Sequence, residues 1–552
     1  MQEKEGCMSK PDLWYKEAVF YELNVRAFYD ANGDGIGDLA GVTARLDYLK
    51  DLGIDTIWLL PITPSPMRDD GYDVSDHYSV HPMYGNLDDF RVLVSEAHHR
   101  GLKIVVELIP NHTSDQHAWF QASHDPAHPE HARYRDYYVW SETDERYRDA
   151  RIIFLDSEKS NWSYDPLRKA YYWHRFFYHQ PDLNYDNPEV QRAMLRVVQF
   201  WIDQGADGIR VDAPPYLFER EGTSCENLPE THAFLKRLRA FVEAYAPGTM
   251  LLSEANQWPE DVRPYFGNGD EMHMNFHFPL MPRIFMALAK ADRSSIVEIL
   301  ARTPALPESC QWGIFLRCHD ELTLEMVTPD ERRFMWDFYA PEPRMRLNLG
   351  IRRRLAPLLD NDQRKIELAN SLLFTLPGSP VVYYGDEIGM GDNIWLKDRD
   401  GVRTPMQWTA QPDAGFSAAP PDKWYTPLVD QSPYTAKQVN VVDQQSDPAS
   451  LFNAMRRMIR VRKVYPAFSW GNFQWAETGN DAVAAYWRIY SDQTLLILNN
   501  LSAQPQTVAL QLPEIANNCE DVFTGALVGV TADNRLALLL QPYQFLWLRL
   551  LK

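Results

Sequence analysis

At 552 residues, 45% hydrophobic and 24% charged, the chain is too long for one ordinary core and reads as soluble and globular, one large domain with additions. A formal net charge of −21 argues against nucleic acid or an anionic membrane as partner. With 17 Trp and 28 Tyr, a carbohydrate substrate gains weight, because flat aromatic faces pack against pyranose rings. The five cysteines (Cys7, Cys225, Cys310, Cys318, Cys519) are widely spaced and form no C-x-x-C, which predicts a reducing compartment and no cysteine-based metal site. No apolar run opens the chain and none approaches the roughly 20 residues of a membrane span, so the expectation is a cytoplasmic protein without signal peptide or membrane contact.

In chain order, residues 19–25 read as a first strand. The loop 30–38 follows, with oxygen side chains at alternate positions and glycines between them. That pattern suits a hard cation, although the closing bidentate Glu of an EF-hand is missing and an ordinary polar turn is the competing reading. Residues 39–52 predict one amphipathic helix closed by Gly53, 55–61 a buried strand, 90–100 a helix closed by Gly101, and 103–109 a strand leading into Asn111 and His112. Strands also fit at 206–211, 250–254, 313–318 and 380–384. Buried strands alternating with helices indicate a (β/α)8 barrel, whose catalytic groups sit at the C-terminal strand ends.

The rhythm breaks at 113–182, an inserted subdomain after the third strand, and again at 391–443, a proline-punctuated stretch read as a lid. Asp447-Pro448 is placed to cap a last helix running to about residue 464. Then the pattern turns to β at 482–490, 494–501, 506–512 and 535–550. The expected organisation is a barrel over 1–112 and 183–467, the insertion 113–182, and a C-terminal antiparallel β-sandwich over 468–552.

The strand 206–211 ends in Arg210, with Asp212 two residues on, so both side chains point the same way. A guanidinium beside a carboxylate favours the ionised acid that a nucleophile needs; a structural salt bridge is the competing use. Asn111 and His112, Glu254, and His319 with Asp320 close other predicted strands, so all reach one barrel mouth. Three carboxylates with two histidines and an arginine suit glycoside chemistry. A metal hydrolase is the rival use of such clusters, but no H-x-H or H-E-x-x-H spacing occurs.

On these motifs the chain resembles the α-amylase superfamily, glycoside hydrolase family 13. Gly71-Tyr72-Asp73, residues 107–112, 208–212, Glu254 and His319-Asp320 match its ordered motifs, and the likeness runs from about Trp14 into the C-terminal β region. Glu107 and Cys318 depart from the Asp and Asn of many relatives; neither is one of the three acids, and Cys318 is given a packing role. Within the superfamily, residues 179–184, 253–259, 273–283 and 315–326 resemble the branch that isomerises maltose to trehalose. Residues 403–408 are similar to oligo-1,6-glucosidases and sucrose isomerases as well.

The resemblance implies roles. Asp212 attacks the anomeric carbon, Glu254 is acid and then base with a raised pKa, and Asp320 binds ring hydroxyls and favours the distorted sugar. His112 and His319 hydrogen-bond that sugar, Arg210 positions Asp212, Tyr72 offers an aromatic face, and Asp69 pairs with Arg403 to close the non-reducing end. Tyr216, Asn256, Glu321 and Glu325 are candidates for holding the second glucose, with surface helix positions the alternative for the two glutamates; Arg151 is a candidate gate. Structural calcium is implied at Asp30, Asn32, Asp34, Ile36 (carbonyl) and Asp38, and at Asn111, Asp182, Tyr216, Leu217 and Glu219. No organic cofactor is implied. The expected small-molecule partners are maltose and trehalose, with some hydrolysis to glucose. A maltose-phosphorylating kinase is an implied protein partner, and a homo-oligomer is left open. The rivals are an α-glucosidase, an oligo-1,6-glucosidase or a sucrose isomerase, and, from another class, the non-catalytic transporter-associated relatives, which carry an anchor and lack the acids.

Overall fold

The computed structural model of the chain describes residues 13–551; Cys7 and the opening residues read for a leader lie outside them. Short apolar runs form the barrel: β1 (Phe20–Leu23), β2 (Thr56–Leu59), β3 (Lys103–Leu108), β4 (Gly208–Val211), β5 (Met250–Ser253), β6 (Met274–Phe276), β7 (Gln311–Phe315) and β8 (Ser379–Tyr383). Every neighbouring pair is parallel, and β8 returns to β1, so the sheet closes with no free edge. Except for Lys103 at the start of β3, all strand residues are buried, as expected for strands covered by helices outside and packed side chains inside. The residues of β6 were not assigned to a strand from the sequence, since three residues carry no period.

The helix Pro188–Asp203 illustrates how a strand is delivered. Asn187 caps it, its side chain accepting from Glu189 N, and Pro188 stands at the first helical position; a cap of this kind contributes about 1 kcal/mol. Val190, Ala193, Met194, Val197, Val198 and Trp201 form its buried stripe. Gly205 then takes φ +101, and a Cβ there would lie 2.8 Å from Val94 Cγ1, so a glycine makes the turn that feeds β4.

Three expected elements are corrected. Residues 39–52 are two helices, Leu39–Ala44 and Leu46–Leu52, broken at Arg45. Within the first of them only glycine fits at position 41, where a Cβ would lie 1.9 Å from the Tyr29 carbonyl oxygen. The last barrel helix, Leu451–Val464, is capped by Ser450, while Asp447 ends the separate helix Val441–Ser446. The run 535–550 is two strands in different sheets, Arg535–Leu540 and Phe545–Leu551.

The insertion carries a three-stranded sheet, ordered Trp140–Ser141, Ala170–Trp173 and Trp162–Asp165, and is stitched to the barrel by bridges His112↔Asp182 and Tyr138↔Leu183. The stretch 391–443 has only short helical turns, yet it is packed rather than loose: Trp408 is buried and donates from Nε1 to Phe28 O at 2.7 Å. At the C-terminus a six-stranded and a two-stranded antiparallel sheet share one apolar core, with Leu496, Leu498 and Leu548 facing Val508, Leu510 and Leu536. Among the described residues no helix is long and apolar enough to cross a membrane.

Candidate active site

The barrel register brings the acids together. Arg210 on β4 lies beside Glu107 on β3, and Asp212 and Glu254 follow β4 and β5 directly, with Asp212 N donating to Leu108 O and Glu254 N to Val211 O. Arg210 is 1% exposed and serves three carboxylates. Its Nη1 donates to Glu107 Oε2 at 3.0 Å and Asp212 Oδ1 at 2.6 Å, and its Nη2 meets Glu254 Oε2. One planar guanidinium thus fixes both predicted reacting acids side by side. Ala213 takes φ +47, a strained value for a residue with a Cβ, and turns the chain sharply away after Asp212.

Asp320 reaches the same mouth from the loop after β7, where Arg399 Nη1 (2.8 Å) and Arg403 Nη2 (2.9 Å) donate to its Oδ1 and His319 Nε2 stands 3.2 Å from Oδ2. Burial works against its ionisation, but His319, Arg399 and Arg403 outweigh that and hold it well below the usual carboxylate range. Asp212 goes the other way. Its expected low pKa is corrected: burial outweighs the pull of Arg210 and pushes it above its ordinary value. Glu107, wholly buried against Arg210 and Asp212, is pushed up to about 7, chiefly by burial.

The pocket above these groups has about 850 Å³ of empty space, counting its open mouth. Asp69, Tyr72, His112, Asp212, Tyr216, Asn256, Asp320, Glu321 and Glu325 line it, as does Glu254. His112 is held by Asn111 and by the Tyr72 carbonyl, and burial pushes it down to about 3, so its ring is neutral. Glu321 and Glu325 face the pocket rather than lying on a surface helix: Glu321 accepts from Asn348 Nδ2 and Glu325 pairs with Arg151 Nη1 at 2.8 Å. Asn256 donates to Thr323, while its Oδ1 is buried without a donor among the described residues.

One pairing is corrected. Asp69 is held by Arg399 Nη2 and Gln180 Nε2, both at 2.8 Å, not by Arg403. Arg403 pairs with Asp70 and Asp320 and lies outside the pocket lining. Arg399, Phe154, Phe176 and Phe278 line the pocket and were missed. The charged run Asp398-Arg399-Asp400 was the available signal for the first; the rings came from segments with no readable period.

The two proposed cation sites differ. In loop 30–38 the buried carboxylates are engaged by neighbouring donors: Asp30 accepts from Gly33 N, Gly35 N and Ser417 Oγ, and Asp38 from Ala31 N, Asn32 N and Gly41 N. Asn32 and Asp34 cap the loop's own turns, accepting from Asp34 N and Ile36 N. Where the insertion meets the barrel, Asn111 Oδ1, Asp182 Oδ2 and Glu219 Oε1 are all buried with no donor among the described residues. Burial pushes both Asp182 and Glu219 well up, and for Glu219 the charge of Asp182 adds to it. Among the described residues no three His, Cys, Asp or Glu side chains converge as a metal site; here two carboxylates and an amide converge, and Tyr216 and Leu217 lie three and two residues before Glu219. That oxygen-only donor set fits calcium.

The family described as Alpha amylase, catalytic domain, matches residues 23–335 and 352–471, and Maltogenic Amylase, C-terminal domain, matches 473–547. The Trehalose synthase/amylase TreS of Mycobacterium tuberculosis (strain ATCC 25618 / H37Rv) is 59% identical over 520 residues, covering 93% of this chain and 86% of that one. The trehalose synthase of Pimelobacter sp. (strain R48) is 52% identical over 552 residues, covering 97% and 96%. Among solved structures, MutB in complex with isomaltulose superposes with a TM-score of 0.79 at 27% identity over 97% of this chain and 99% of that one. The α-glucosyl transfer enzyme XgtA superposes with a TM-score of 0.78 at 29% identity, covering 98% and 100%.

Proposed function

The chain belongs to the α-amylase family, within its trehalose synthase branch, and on that premise we propose that it interconverts maltose and trehalose by moving one glucosyl unit within the pocket. The observation that carries the reading is the shared guanidinium of Arg210, which holds Asp212 and Glu254 together as a retaining mechanism requires.

Asp212 attacks C1 of the non-reducing glucose, and the bond from C1 to the bridging oxygen breaks as Glu254 gives that oxygen its proton. A β-glucosyl-enzyme and a free glucose result. The glucose turns, its anomeric hydroxyl gives its proton to Glu254 and attacks C1, and Asp212 leaves. Atoms balance and no water is consumed. Asp320 and Asp69, oriented by Arg399, hold hydroxyls of the reacting sugar, with His112, Tyr72 and His319 around the same ring. The second glucose is held by Asn256, whose free buried Oδ1 is a ready acceptor, with Tyr216, Glu321 and Glu325. Water entering while Asp212 carries the glucosyl unit gives the minor glucose.

Purified protein incubated with maltose tests this. Trehalose as the main product supports it; glucose alone favours the α-glucosidase reading. An isomerase of sucrose, the alternative within the same family, would convert sucrose faster than maltose.

Calcium at Asn111, Asp182, Glu219 and the carbonyls of Tyr216 and Leu217 is part of the proposal, since the orphaned oxygens there fit it. It would neutralise buried charge and hold the insertion against the barrel, with no part in bond breaking. The loop 30–38 is proposed as a second calcium site on the oxygen pattern Asp30, Asn32, Asp34, Ile36 and Asp38. A cytoplasmic location is supported by the free, buried Cys225, Cys310, Cys318 and Cys519. A maltose-phosphorylating kinase remains the proposed protein partner.

A further inference from the structure

Glu22 on β1 points into the barrel and is 0% exposed. Its Oε1 accepts from both the main-chain N–H and the ring Nδ1 of His319, and its Oε2 is buried with no donor among the described residues. The far ring nitrogen of His319, Nε2, stands 2.8 Å from Tyr72 OH and 3.2 Å from Asp320 Oδ2. Tyr72 stacks on the His319 ring with centroids 5.4 Å apart and only 9° between planes, and its hydroxyl donates to Glu107 Oε1 at 3.1 Å. A continuous buried chain therefore runs from Glu22 through His319, Tyr72, Glu107 and Arg210 to Asp212. Glu22, His319, Arg210 and Glu254 also line one small cavity beneath the acids.

We propose that Glu22 is a positioning residue for the glucosyl transfer, holding the His319 ring through its Nδ1 and its main-chain N–H so that Nε2 faces Tyr72 and Asp320. The inference goes beyond the roles given to the pocket residues, because Glu22 does not line the pocket and acts only through His319. The hydrogen bonds argue for it. One carboxylate oxygen of Glu22 meets both the ring Nδ1 and the main-chain N–H of His319, which fixes the rotation of the ring and leaves Nε2 to Tyr72 and Asp320. The charged or titratable groups facing His319 are Glu22 from β1, Glu107 from β3, Arg210 on β4 and Asp212 after it, Glu254 after β5, Tyr72 from the loop after β2, and Asp320 beside it. Arg403, on the lid, donates to the His319 carbonyl.

The test is kcat and KM on maltose, measured separately for E22Q and E22D, with melting temperatures to establish folding. Loss of a hydrogen bond to a charged group, about 1.5–3 kcal/mol, is a fall of about 10- to 100-fold. E22Q is expected to lose that much in kcat with KM little changed, because the His319 ring is no longer held by a carboxylate. E22D, which keeps the carboxylate, is expected to recover part of the loss. An unchanged kcat in E22Q, or an E22D no more active than E22Q, overturns the proposal. Should E22Q alone not fold, H319Q and the double variant E22Q/H319Q decide it. With the imidazole gone, neutralising Glu22 removes a buried unpaired charge, so the double variant is expected to be at least as stable and as active as H319Q. A further loss of activity would show Glu22 acting without His319.

Discussion

Arg151 and Glu325, 174 residues apart, meet at 2.8 Å across the pocket mouth. The same guanidinium gives Nε to Glu226 at 2.9 Å and Nη2 to Tyr216 OH at 3.2 Å. Arg151 comes from the insertion, and its partners come from barrel loops, so one side chain ties the two together beside the pocket. The proposed isomerisation calls for such a latch, because a freed glucose must stay while water is kept out.

The latch gives the first prediction. The Arg151 side chain is 38% exposed, so a pair of this kind is worth no more than about 1 kcal/mol, or about fivefold in an open-to-closed ratio. R151A is expected to raise the ratio of glucose to trehalose by about that factor while consuming maltose at a similar rate. Product analysis by chromatography reads both numbers.

Arg399 and Arg403 can be told apart. Arg399 alone holds both Asp69 and Asp320, and it is buried. Breaking a buried pair costs about 3–5 kcal/mol. R399A is expected to lower kcat/KM on maltose at least about 100-fold with a raised KM. R403A leaves Asp69 paired and is expected to raise KM less; steady-state kinetics on the two variants decides.

The barrel's reactive strand ends were legible in the sequence because they combine two regularities. Arg210 and Asp212 share a face by period-2 alternation, and Asn111, Glu254 and His319 each follow a buried strand, so chain order alone assigns them to one mouth. The partner of Asp69 was assigned to Arg403 rather than Arg399 because the two arginines lie four residues apart on a stretch with no repeating geometry, where either could turn to Asp69. Phe154 and Phe176 face the pocket from the insertion, whose fold depends on tertiary contacts. Asp212 shows a different limit. The neighbouring arginine was visible, but the burial that outweighs it depends on eight strands closing around it.

The cation site carries a sign that can be checked. Burial pushes Asp182 and Glu219 well above the usual carboxylate range. A carboxyl raised on folding keeps its proton longer folded than unfolded. The contribution of these two groups to the stability of the metal-free protein is therefore full at low pH and falls as pH rises from about 4, the unfolded value, toward the raised folded values. Calcium favours the ionised pair, so the gain in melting temperature on adding calcium to chelator-treated protein is expected to grow as pH rises through that window. E219Q is expected to lose most of that gain, and a calcium-independent melting temperature in the native protein would contradict the site.

The central claim is that the glucose released by Glu254 is the same glucose that attacks the glucosyl unit on Asp212. Incubating the protein with unlabelled maltose and excess carbon-13 glucose, then measuring label in the trehalose by mass spectrometry at early times, tests it directly. The account predicts trehalose almost free of label, with label confined to the small fraction formed after the mouth has opened. Trehalose labelled in proportion to the free glucose would contradict it.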